Sequence, residues 1–182
     1  HDRWNHYQRA SEGKRRKRGT LHQAIGRSKG GLTSKVLALT DALGNLVRFK
    51  LLPGQRSEIV GVPDLIDGLI FDALMGDKAF DADQLRQALT QRGAKAVIPS
   101  KRNRKVHIPH DEEAYKWRHL VENYFSKIKE FRGINTRYDK TDTSYEATWD
   151  IAATIIQLRS HERFRFTRHK KTTPLLQVGQ MM

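Results

Sequence analysis

The stretch AYKWRHLVENYFSKIKEFRG, residues 114–133, sets one acid, Glu122, among Tyr115, Arg118 and Lys129. At roughly 100° per residue these four side chains fall within an arc of about 60° on a helix. The plainest work for such a stripe is a surface pair, Arg118 with Glu122 at i, i+4, worth about 0.2–0.5 kcal/mol. The chain has no cysteine, so thiol chemistry and thiolate metal sites are excluded. Carboxylates and histidines remain as metal ligands, which suits hard cations that prefer oxygen. His107 and His110 have no partner at a spacing typical of zinc sites and read as loop residues. Spacing alone therefore favours the surface pair over a ligand role for Glu122.

The elements that must carry this stripe can be read from apolar periodicity. Trp117, Leu120, Val121, Phe125 and Ile128 form a core-facing side next to the charged one, predicting a helix from about Glu112 to Phe131. Asp111, Glu112 and Glu113 sit where acids suit its N-terminus. Upstream, LTSKVLALTDALGNLVRFKLL (32–52) predicts an antiparallel hairpin turning at Asp41–Asn45. SEIVGVPDLIDGL predicts a short helix, with Pro63 marking a late start or a kink. Residues 71–100 alternate strand, turn, helix and strand, with Gly93 closing the helix. Asp81 and Asp83 read as helix-start residues in that unit. TSYEATWDIAATIIQLRS predicts a last amphipathic helix. Alternation of this kind predicts an α/β fold with a partly parallel sheet flanked by helices.

The 182 residues fit one domain plus some tail, and no apolar run approaches the roughly 20 residues needed to span a bilayer. No charged-then-apolar leader opens the chain, so we expect an unsecreted protein. The formal net charge is +14, which favours a polyanionic partner, most often nucleic acid. Residues 1–35 hold ten Lys/Arg against two acids, and residues 159–182 hold six against one. The stretch between is nearly neutral. Basic ends are read equally well as solvated tails or as phosphate-binding arms.

The complete signature Tyr115, Arg118, Glu122, Lys129 has the form Tyr-x2-Arg-x3-Glu-x6-Lys. It resembles the glutamate motif of bacterial insertion-sequence transposases of the DDE superfamily. QAIGRSKGGLTSKVLALTDALGNLVRF, GDKAFDAD, VIPSKRNR, YKWRHLVENYFSKIKEF and TRYDKTDTSY resemble that family in the same order, over about residues 20–159. The resemblance implies a ribonuclease H-like mixed sheet flanked by helices. It divides the chain into a basic segment at 1–20, a catalytic domain at 21–159 and a basic tail at 160–182 without fixed structure.

The resemblance also implies a chemistry. In-line attack on a phosphodiester by water or a DNA 3'-hydroxyl is assisted by two divalent ions, Mg2+ or Mn2+, held by carboxylates. Asp77 in MGDKAF matches the second Asp of the family and Glu122 its Glu, both catalytic and metal-ligating. The competing role for Asp77 is a turn or helix-start acid. Arg118 and Lys129 could hold DNA phosphates, and Tyr115 could pack or contact DNA. GRSKGGLTSK (26–35) lacks the ending of a nucleotide-binding loop and precedes a strand, so Gly30 and Gly31 permit a tight approach while Arg27 and Lys29 contact DNA backbone. The implied partners are double-stranded DNA, at element ends and target, and further copies of the chain. The implied location is the bacterial cytoplasm, at the nucleoid.

One part of the pattern is absent. The family's first Asp lies in a strand segment roughly like Asp-Gly-Thr, whereas this region reads HDRWNHYQRASEGKRRKRG, and Asp2 has no apolar strand around it. If Arg3 is encoded by CGA or AGA, the codons for Arg3 to Ala10 can read Asp-Gly-Thr-Ile-Ile-Lys-Gly one base later. We therefore expect residues 1 to about 18 to be translated out of the ancestral frame. Translating the coding DNA in three frames tests this, and an alternative frame without that Asp would refute it. On this reading the chain lacks its first metal ligand and first strand, leaving an inactive enzyme or a non-catalytic DNA-binding fragment. A structural RNA-binding protein would share the basicity but not the ordered series of motifs.

Overall fold

A computed structural model describes residues 23–28, 31–164 and 175–181 of the chain. The sheet has six strands: β1 (Gly26–Ser28), β2 (Gly31–Thr40), β3 (Leu46–Pro53), β4 (Ala73–Met75), β5 (Lys95–Val97) and β6 (Leu175–Met181). Their order is β1-β2-β6-β4-β5, with β3 also paired to β2. β2 runs antiparallel to β1, β3 and β6, whereas β4 runs parallel to β5 and β6. This mixed sheet, covered by helices, is consistent with a ribonuclease H-like fold.

The β2–β3 hairpin forms where its turn chemistry places it. Asp41 Oδ1 accepts from the backbone N–H of Leu43 and Asn45 at 2.8 and 2.9 Å, closing an Asx turn. Gly44 takes φ +79°, a left-handed conformation that costs glycine little. Along β2, residues alternate between the two faces with the period of a pleated strand. Leu37 and Leu39 join one core with Val62, Leu74, Leu89 and Val178. Val36 and Ala38 join the other with Val121, Phe125, Tyr145 and Trp149.

The first core is covered by α1 (Val62–Ile66) and α2 (Asp83–Gln91). Pro63 lies in the first turn of α1, after a 3-10 turn at Glu58–Gly61, so the proline marks a helix start rather than a kink. The second core lies beneath α4 (His119–Ile128), α5 (Arg132–Asn135) and α6 (Asp142–Phe164), with α3 (Glu112–Tyr115) preceding α4. The strand–helix–strand unit of residues 71–100 forms as expected, and Gly93 ends it at φ +74°.

Two expectations are corrected. The tail beyond Ser160 is not wholly without fixed structure, because α6 continues to Phe164 and Leu175–Met181 forms the strand between β2 and β4. Leu176 and Val178 enter the first core, and Met181 the second. β6 thus pairs with both β2 and β4 inside the sheet. The helix of residues 112–131 is also not continuous. A 3-10 turn at Lys116–Arg118 separates α3 from α4. Three residues per turn instead of 3.6 rotates what precedes it. Trp117 is consequently 57% exposed and stacks on His119 with ring centroids 6.2 Å apart, while Tyr124 takes a core position.

Candidate active site

Asp77 stands directly past the end of β4. Gly76, just before it, lies so close to β6 and the following turn that a Cβ there would come within 3.0 Å of Val178 and 3.1 Å of Phe80. Asp77 Oδ1 accepts from the backbone N–H of Ala79 at 2.7 Å, capping a 3-10 turn at Lys78–Phe80. The turn-acid role is therefore real, and it uses one oxygen. Among the described residues Oδ2 has no protein partner, and the side chain is half-buried.

The helical stripe approaches from above the sheet. Asp111 Oδ1 caps α3 by accepting from the Ala114 N–H at 2.9 Å, which fixes the start of the segment. His110, in the loop before α3, packs edge-on against Tyr115 with ring centroids 5.3 Å apart. Arg118 lies 5.9 Å from the Tyr115 ring centroid and donates to Glu122 Oε1. Val121 and Phe125 seat α4 on β6, where a Cβ at Gly179 would meet them at 2.9 and 2.8 Å. Glu122, next to Val121, is exposed above that contact. Lys129 closes α4 as an exposed cation.

Tyr115 reports how these groups lie together. Burial raises its phenol pKa first, Arg118 lowers it, and the charges of Asp77 and Glu122 both raise it. Tyr115 also packs against the cluster of Ala73, Met75 and Val97, which puts the start of the stripe on the β4 side of the sheet. Arg27 is exposed on β1, away from this cluster in sequence, and Lys29 lies outside the described residues, as does Asp2.

Sequence reasoning missed two features. Asp81 is no simple helix-start acid. Its carboxylate is 1% exposed and is held by Arg86 Nε at 2.9 Å and Arg104 Nε at 2.8 Å. The Lys101 N–H adds a third donor at 2.8 Å. This ties the basic loop of residues 101–105 to the turn that carries Asp77. The second feature is Gln177 on β6, fully buried and, among the described residues, with neither amide atom paired, opposite Thr40, whose hydroxyl is likewise unpaired among them. Each buried polar group left without a partner costs about 1–3 kcal/mol.

Residues 5–157 match the transposase DDE domain family. The chain belongs to that family. The DDE domain is also 34% identical over 131 residues to the "Putative transposase for insertion sequence element IS6501" of Brucella ovis. That match covers 70% of this chain and 100% of the relative. No solved structure matches. Membership of a DDE transposase family implies a DNA partner, and such sites generally work with a divalent metal. Among the described residues, no group of three or more His, Asp or Glu side chains could hold a metal ion. The donor chemistry nevertheless fits one: Asp77 and Glu122 each keep a carboxylate oxygen without a protein partner, on the side of the sheet where Gln177 is orphaned. No described helix is long and apolar enough to cross a membrane.

Proposed function

We propose that this chain is the catalytic domain of an insertion-sequence transposase, with Asp77 and Glu122 as the carboxylates that hold Mg2+ or Mn2+ for cleavage and strand transfer at element ends. The observation that carries the reading is that Tyr115 packs against the β4 strand that ends before Asp77 and lies beside Arg118, which in turn bonds Glu122 on α4. When bound, divalent ions supply charge stabilisation to the attacking and leaving oxygens of an in-line displacement.

The chain's own residues supply position and charge. Arg118 holds Glu122 through an exposed i, i+4 pair of small net value, so a DNA phosphate can compete for the guanidinium and free the carboxylate. Lys129 lies about 10 Å further along the helix, at 1.5 Å per residue, where it can take a second phosphate. Lys101, Arg102 and Lys105 sit on the loop anchored by Asp81, whose own charge is already used. These cations, with Arg27 and Lys29, would contact DNA backbone and set position rather than sequence preference. Synapsis of two element ends would bring together more than one copy of the chain.

The strand between β2 and β4 reads LLQVGQM and brings no acid to the site. We therefore expect no strand transfer by this chain alone. Asp77→Asn and Glu122→Gln should each weaken Mn2+ binding by roughly tenfold or more, measured by calorimetry. Supplying the alternative-frame first segment should recover metal-dependent nicking of DNA that Glu122→Gln abolishes. Mn2+ affinity indifferent to both acids would overturn the reading. The acid-free central strand favours a second reading, a DNA-binding fragment that inhibits a complete copy. Metal-dependent nicking lost in Glu122→Gln would exclude it.

A further inference from the structure

We propose that Gln177 is a third oxygen donor of the Asp77–Glu122 cation site, its amide Oε1 standing where the sheet brings no acid. The inference rests on the metal-site reading above and adds to it a ligand from the C-terminal strand, outside every motif of the sequence.

Register and alternation locate the side chain. On β6, Leu175, Gln177 and Gly179 share one face of the sheet. Leu175 and Tyr115 both pack against the cluster of Ala73, Met75 and Val97, and Gly179 lies under Val121 and Phe125. Gln177 is between them, beneath the turn that runs from Tyr115 through Arg118 into the start of α4. That turn carries Glu122. Sideways, Gln177 pairs in register with Met75 on β4, and Asp77 is the next residue of β4's chain on that same face. Register and alternation thus put the amide on the sheet face that α4 covers, beside the strand whose end carries Asp77.

Its chemistry is unfinished there. Gln177 is 0% exposed and, among the described residues, neither Oε1 nor Nε2 has a partner, nor does the hydroxyl of its antiparallel neighbour Thr40 on the same face. A buried amide without a partner is costly, and side-chain carbonyls are ordinary ligands of hard divalent cations. A cation held by Asp77 and Glu122 would satisfy Oε1, and the Thr40 hydroxyl would remain to accept from Nε2. Arg118 donates to Glu122 Oε1, which leaves Oε2 for a cation.

The test is calorimetric titration of the full chain with Mn2+, comparing Gln177→Leu, Gln177→Glu and Asp77→Asn, each with urea unfolding measured alongside. Gln177→Leu should weaken Mn2+ affinity by about tenfold, the scale on which losing a site partner acts, and Gln177→Glu should tighten it by a similar factor. Unchanged affinity in both Gln177 variants, with Asp77→Asn weakened, would overturn this inference and leave the two-acid site standing. Unchanged affinity in all three would overturn both. Should Gln177→Leu fail to fold, Gln177→Glu decides alone: affinity equal to or below the parent's removes Gln177 from the site.

Discussion

Replacing Asp81 by Ala should lower the unfolding free energy by about 3–5 kcal/mol, because it leaves a buried cation without its counter-charge. Arg86 is the residue at risk. It is 9% exposed, donates from Nε to Asp81 at 2.9 Å and from Nη2 to the Ile98 carbonyl at 2.7 Å. Arg104 would keep Asp83 at 2.7 Å, but Lys101 would lose the acceptor of its N–H. Against the 5–15 kcal/mol typical of whole domains, this is a large fraction. Urea unfolding at pH 7 measures it, and a change below about 1 kcal/mol would show that the network carries little.

The same carboxylate should shape the acid limb of stability. Burial raises its pKa, yet the bonds from Arg104, the Lys101 N–H and Arg86 outweigh that and hold it well below the usual carboxylate range. A depressed folded-state pKa contributes stability that is fully present above the unfolded value of about 3.9. That contribution is lost as pH falls from there towards the folded value. Asp81→Asn should therefore flatten the loss of stability between about pH 4 and pH 2. The functional link is the loop: with Asp81 neutral, Lys101, Arg102 and Lys105 are no longer tied to the turn behind Asp77.

Why Asp81 read as a helix-start acid shows where sequence reasoning stops. Its spacing before DQLRQAL is that of a cap, but its main partners include Arg104, 23 residues later in a loop without periodicity. Local signals were legible. Asp41 and Gly44 encode their turn, Gly93 its helix end, and alternation in β2 its two faces. Asp77 and Glu122 were singled out through the order of motifs, each of which lies within one local element. What joins them was not. The 3-10 turn that exposes Trp117 has no marker in AYKWRHL, whose apolar spacing suits an unbroken helix equally well.

The strand β6 is the extreme case, and ending the chain after residue 174 should abolish cooperative unfolding altogether. β6 pairs with β2 over five residues and with β4 over three, so its loss turns two interior strands into edges facing a gap. Leu176, Val178 and Met181 would leave both cores, each side chain worth about 1.5–3 kcal/mol of burial. That sum rivals the stability of a whole domain. LLQVGQM gave little warning, since it contains a glycine and two glutamines and follows a basic stretch. Its nearest partner on β4 is about a hundred residues away. Far-UV circular dichroism and urea titration of the shortened chain provide the check, and Val178→Asp supplies a full-length counterpart, burying a charge at a position with 0% exposure. Adding back a peptide of residues 175–181 should restore structure by strand addition if the gap between β2 and β4 is the cause. An unchanged urea midpoint in the shortened chain would mean that β2 and β4 close without β6.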